Sequence, residues 1–161
     1  MKKTFNKKNK SLKILKTSKI TKTLKTINPM NNKNNYSYNN IIVLCLEILN
    51  TVKLYHWKTN KYSEHKATDE VYDELNDKID EFIEVLIGKN GKRININKSS
   101  IKLNDFNNSS SFKKYIEKAK KYLIEMTNNK IFNKQENSDL LNIKDEILGI
   151  LNKFTYLLTF E

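Results

Sequence analysis

With 161 residues, one proline, three glycines and one cysteine, the chain has room for one domain and few structure breakers, and it excludes a disulfide framework or a cysteine-rich metal cluster. No apolar run approaches the roughly 18 residues of a membrane span, and the charged start is not followed by the apolar stretch of a signal peptide. The net charge of +12 is uneven: residues 1–35 hold 11 lysines and no acid, which leaves 19 basic and 18 acidic side chains in residues 36–161.

The expectation is therefore an intracellular protein, cytoplasmic or nucleoid-associated (or carried in a virion, if the source is viral), with a nearly neutral body and a polycationic tail. Asparagine is abundant at 24 residues, and every basic position except Arg93 is lysine. That bias has the look of an AT-rich genome rather than of a folding requirement.

The tail, residues 1–35, is built mostly from Lys, Thr, Asn and Ser. Leu12, Leu15, Ile20, Leu24 and Ile27 recur at roughly helical spacing, so part of it can become an amphipathic helix on a partner. Residues 28–35, with Pro29 and repeated asparagine, read as a linker. A first helix is predicted over residues 38–57, its apolar stripe formed by Ile41, Leu44, Cys45, Ile48, Val52 and Tyr55. Cys45 on that stripe reads as a buried thiol, and Trp57 as core or interface packing.

Residues 58–62 form a short turn. A second helix follows over residues 63–88, with Ser63 as N-cap and Glu64 in the first turn, where the helix dipole favours an acid. Its core stripe is Ala67, Val71, Leu75, Ile79, Phe82 and Leu86, and Gly88 and Gly91 mark its end. Residues 89–109 make a connection longer than a bundle loop needs, which predicts a crossover packed on the bundle.

The third helix is predicted over residues 110–127 and the fourth over residues 138–158, with a polar stretch at 128–137 between them. Phe112, Ile116 and Leu123 lie on the apolar side of the third, and Leu141, Leu151 and Phe154 on that of the fourth. Gly149 in the fourth would permit close helix contact. Four amphipathic helices must bury their stripes against one another, which predicts an all-α four-helix bundle.

The polar face of the second helix carries the chemistry. With His65 set at about 0°, helical geometry puts Asp69 near 40°, Asp80 near 60° and Glu84 near 100°, beside a core stripe at about 200° to 340°. His65 and Asp69 are i,i+4 neighbours that can share a cation, and so are Asp80 and Glu84. Fifteen residues separate His65 from Asp80, about 22 Å along a helix, so one ion cannot reach both pairs within one chain. All four can be ligands only if this helix of a second subunit lies antiparallel to the first, which gives two symmetric sites per dimer. One imidazole and three carboxylates favour iron or manganese ahead of zinc. His56, at the end of the first helix and close to the turn, adds a second imidazole.

The run Leu54-Tyr55-His56-Trp57, then His65, Asp69, Asp80 and Glu84, resembles the Dps family of miniferritins, the DNA-binding proteins of starved cells. The stretch from Ser138-Asp139-Leu140-Leu141 to Leu157-Leu158 is similar to that family's last helix. The resemblance implies a ferritin-like bundle with an iron-binding ferroxidase centre between subunits. His56, His65 and Asp69 would come from one chain, and Asp80 and Glu84 from its two-fold mate. It also implies a homo-oligomer and a lysine-rich tail that holds DNA. Two departures are visible. His56 stands three residues closer to His65 than in that family, and residues 89–109 do not match the short helix that its members carry there. The composition, tight turn and basic tail are similar as well to small ferritin-like proteins of large DNA viruses and phages.

Lys2, Lys3, Lys7, Lys8, Lys10, Lys13, Lys16, Lys19, Lys22 and Lys25 of the tail can neutralise phosphates without reading sequence. Phe5 is the tail's single aromatic, so base stacking is not its mode. An organelle-targeting role, or docking on an acidic protein in a virion, is the rival for the tail. For the whole chain the rival is a structural or DNA-packaging protein with a vestigial metal face.

Overall fold

A computed structural model describes residues 37–96, 100–133 and 135–160. The ten lysines assigned to DNA lie outside them. The described residues form an all-α, ferritin-like four-helix bundle: α1 (Tyr38–Lys58), α2 (Tyr62–Asn90), α3 (Ser109–Met126) and α4 (Ser138–Leu157), with a short 3-10 turn at Lys130–Phe132. None of these helices is long and apolar enough to cross a membrane.

The helix ends follow local chemistry. The Ser37 hydroxyl accepts the Asn40 N–H at the start of α1, and the Asn108 side chain accepts the Ser111 N–H at the start of α3, each satisfying a donor that the helix leaves orphaned. Ser63 is not the cap of α2. The helix begins one residue earlier, with Lys61 as an N-cap that has no side-chain bond, and the Ser63 hydroxyl instead donates to the Phe160 carbonyl at 3.2 Å. Gly88 is internal to α2. Gly91 ends the helix, in the left-handed region at φ 61° where glycine has no steric penalty.

The four apolar stripes close on one core. α2 packs on α1 and α4, α3 packs on α4 and more lightly on α1, so α2 and α3 stand on a diagonal. Phe82, Phe112, Phe132 and Phe154 are fully buried, and Tyr55 stacks on Phe112 at 3.9 Å between ring centres. Each such side chain contributes roughly 1.5–3 kcal/mol by leaving water. Phe132 sits inside the stretch read as polar, where three residues of 3-10 turn are too few to show a period. Gly149 makes no close contact, because a Cβ built there meets nothing within 4 Å. Trp57 is not core within the chain, since it is 69 % exposed. Cys45 is buried, and burial pushes its thiol up to about 12, far from a nucleophile's range.

The α2–α3 connection runs the length of α1. Asn39, at the start of α1, donates to the Asn95 carbonyl. Glu47, midway along it, accepts the Lys102 N–H, and Lys58, at its end, reaches Asp105 at 2.6 Å. The crossover therefore brings α3 back to the end of the bundle where α1 finishes and α2 begins. At the other end Lys89 of α2 meets Asp139 of α4 at 3.0 Å, which sets those two helices antiparallel.

Candidate metal centre

Three residues, 59–61, separate α1 from α2, and this short turn brings His56 and His65 face to face. Their rings stack with centres 4.0 Å apart and planes 23° from parallel. His56 Nδ1 lies 3.1 Å from both the His65 carbonyl and the Thr68 hydroxyl. The Thr68 hydroxyl spends its proton on the carbonyls of Glu64 and His65, at 2.8 and 2.9 Å, so it can only accept from the ring. A carbonyl likewise only accepts. These partners assign the His56 proton to Nδ1. His65 Nδ1 lies 3.2 Å from the His56 carbonyl, which fixes the same tautomer. Each histidine is thus held by the other's backbone, and each keeps its Nε2 lone pair available, the arrangement that ligating imidazoles use.

His56 is buried, and its Nε2 lies 3.8 Å from the exposed Asp69 carboxylate. Asp80 and Glu84 are exposed farther along the same unbroken helix, about 22 Å from His65 by helical rise. The structure therefore brings together His56, His65 and the edge of Asp69, and leaves Asp80 and Glu84 apart from them. Among the described residues, no three His, Cys, Asp or Glu side chains converge within the chain to hold a metal.

The carboxylates of α2 fall into two sets. Glu70 and Glu74 share Lys153 of α4, at 2.6 and 2.8 Å, and Glu81 takes Lys78 at 2.8 Å. Asp73, Asp77, Asp80 and Glu84 have no cationic side chain within 4 Å among the described residues, and Asp69 has only His56. By helical angle the unmatched five span about 40° to 120° from His65, and the matched three about 140° to 180°, on the side facing α4. The outward stripe therefore carries His65, with His56 of α1 stacked beside it, and every uncompensated acid of this helix.

Two residues that periodicity did not single out support the site. Thr68 is fully buried and orients His56. It occupies a core position of α2, where a threonine three residues after a histidine is the one sequence signal that could have exposed it. Glu64 is 2 % exposed and accepts the Tyr55 hydroxyl at 2.6 Å and the Thr59 hydroxyl at 2.8 Å. Burial opposes its ionisation, but those donors, Tyr55 foremost, together with nearby Lys61 hold its carboxyl below the usual range. This buried carboxylate locks the α1–α2 turn from inside, so the two histidines stay in register.

A model described as "Family of unknown function (DUF5856)" matches residues 56–158, well over half of the chain. The chain belongs to that family. The matched stretch opens on His56 and contains all five candidate ligands. No curated protein and no solved structure matches the chain.

Proposed function

We propose, for this member of a family without an assigned activity, a Dps-like role: it binds Fe(II) as substrate at a site closed by two copies of α2, and it holds DNA through its N-terminal tail. The observation that carries the reading is the reciprocal histidine pair, with both Nδ1 atoms engaged by backbone carbonyls and both Nε2 atoms free to ligate. His56, His65 and Asp69 form one half-site. An antiparallel second α2 brings Asp80 and Glu84 of the other chain opposite them, and iron fits the resulting imidazole and carboxylate set. Manganese and zinc are the competitors for the same donors. Oxidation of Fe(II) there is the activity that the Dps resemblance implies.

The register has an electrostatic consequence. It places Asp73 and Asp77 of both chains near the two-fold axis, where like charges repel, so the dimer depends on bound cations to close. The tail's lysines supply a sequence-independent hold on duplex DNA, with affinity falling steeply as salt rises.

Complementation between two defective variants tests the shared site. His65→Ala alone and the double variant Asp80→Asn/Glu84→Gln alone each bind Fe(II) too weakly to register in anaerobic calorimetry at wild-type saturating concentrations. When the two are mixed, each heterodimer has one of its two sites intact, and random pairing of an equal mixture makes half of the dimers heterodimers, so about a quarter of the wild-type stoichiometry returns. If mixing restores nothing, the shared site is wrong, and the bundle is better read as a DNA-packaging scaffold.

A further inference from the structure

At the end of the bundle where α1 and α4 finish and α2 and α3 begin, four aromatic rings stand in water: Trp57, Tyr62, Tyr156 and Phe160, each about half exposed or more. Among the described residues every exposed large aromatic is at this end. The exposed aliphatics Ile94, Ile101, Leu103 and Ile124 lie on the crossover or farther along α3, Leu103 coming nearest, two residues before the Asp105 that pairs with Lys58. The rings are held in place. Tyr156 and Phe160 meet edge to face at 5.0 Å, the Phe160 carbonyl accepts from Ser63 next to Tyr62, and the Lys66 ammonium lies 6.0 Å from the centre of the Tyr62 ring. Lys113 and Lys114, in the first turns of α3 at this same end of the bundle, have no carboxylate within 4 Å among the described residues.

We propose that this end of the bundle is a stacking platform for single-stranded nucleic acid, with Tyr62, Tyr156, Phe160 and Trp57 taking bases and Lys66, Lys113 and Lys114 taking phosphates. Exposed planar rings interleaved with lysines supply what an unpaired strand needs: a π-face for every base and a cation for the backbone between bases. Duplex DNA hides its base faces and cannot use the rings. Aromatic rings outnumber exposed aliphatics at this end, whereas a surface that enters lipid carries leucine freely among its aromatics. The platform needs neither the α2 seam nor the lysine tail, which lacks the rings to stack bases.

Trp57 is the chain's only tryptophan and serves as an internal reporter. The full-length protein is titrated with oligothymidine of about twelve nucleotides, within the span such sites cover, at salt high enough to suppress the tail's contribution. The expected result is saturable quenching of Trp57. Tyr62→Ala and Tyr156→Ala each weaken oligothymidine binding roughly 5- to 100-fold, the loss expected for one stacked base. Tyr62→Phe, which keeps the ring, binds as the wild type does, and at lower salt duplex binding through the tail is unchanged in all three. Asp80→Asn/Glu84→Gln also leaves oligothymidine binding intact, which separates this site from the iron-binding reading. The proposal is overturned if the alanine variants bind oligothymidine like the wild type. Equal quenching by phosphatidylserine-containing vesicles would overturn it in favour of a membrane surface. A fluorescence change that follows protein concentration alone, without oligonucleotide, would do so in favour of a second copy covering the rings.

Discussion

α2 carries two kinds of carboxylate, and the contrast between them separates what the fold needs from what it leaves for a partner. Glu64, Glu70, Glu74 and Glu81 are matched by the chain's own donors: the first by Tyr55 and Thr59, the others by Lys153 and Lys78. Asp69, Asp73, Asp77, Asp80 and Glu84, one side of the same helix away, are not matched by any lysine or arginine among the described residues. A stability role would predict compensation on both sides, because residues 36–161 hold 19 basic side chains for 18 acidic ones. Its absence from one stripe, the stripe that bears His65 and lies beside His56 of α1, is what directs attention to a ligand from outside. The expectations below either widen this contrast or remove it, those on metal affinity first and those on stability after, each set in order of decreasing effect.

The largest effect is expected where unmatched acids serve as ligands. Asp80→Asn/Glu84→Gln should lower Fe(II) affinity by about 100-fold or more, since losing ligands costs at least as much as losing the groups that orient them. The same variant should melt no lower than the wild type, and its α2–α2 dimer should become less dependent on divalent cation in sedimentation experiments. A substantial fall in Tm would mean that these acids belong with the matched set after all.

Next comes the group behind the imidazole. Thr68→Val keeps the volume but removes the oxygen that accepts from His56 Nδ1, leaving the His65 carbonyl as the remaining partner. Metal affinity should drop about 10-fold, the lower end of what outer-shell partners contribute. The readout that distinguishes orientation from mere packing is the ring itself. Followed by NMR, the His56 Nδ1 proton should exchange faster in the variant than in the wild type, while that of His65 is unchanged.

Much of the bundle was legible in the sequence, because 3.6-residue periodicity over 18 or more residues leaves little choice. Observed and expected helix ends differ by one or two residues, at Lys58, Tyr62, Asn90, Ser109, Met126 and Leu157. What could not be read depends on tertiary placement. Phe132 fills the core from a three-residue turn that has no period. Lys144 looks like a surface lysine, yet it is 3 % exposed and donates to Thr127 at 2.8 Å. At the site, the spacing from His65 to Glu84 placed four residues on one face, but nothing in residue identity shows that the His56 and His65 carbonyls capture each other's rings. That geometry comes from the turn at 59–61. The aromatic end of the bundle was equally hidden, since Trp57 and Tyr62 stand about a hundred residues from Tyr156 and Phe160 in sequence and share one end only after folding.

The third expectation concerns the matched carboxylate that locks this turn. Glu64→Gln keeps the shape but loses the charge that Tyr55 and Thr59 address, and hydrogen bonds to a buried charged group are worth about 1.5–3 kcal/mol. Because the folded-state carboxyl lies below its unfolded value, its contribution is fully present above the ordinary glutamate range. It is lost as pH falls through the lowered folded value. The Tm gap between wild type and variant should therefore be constant from pH 7 down to about 5 and narrow as the pH drops further. Glu47 has the opposite sign: burial raises its carboxyl and the Lys102 N–H only partly offsets it. Glu47→Gln should consequently gain stability relative to the wild type as pH rises out of the acid range.

The smallest effect belongs to the exposed matched pairs. Lys153→Gln strips Glu70 and Glu74 of their shared cation and makes the α4 side of α2 resemble its outward stripe. Ion pairs between solvated side chains contribute little and are screened by salt, so the expected drop in Tm is slight at low ionic strength and vanishes near 1 M salt, where the screening length is about 3 Å. Fe(II) affinity should be unchanged, because Glu70 and Glu74 point toward α4 and away from the imidazoles. If Lys153→Gln instead created a second class of Fe(II) site, free carboxylates alone would suffice to bind the ion. The reciprocal histidine pair would then lose its standing as the feature that makes the outward stripe a site.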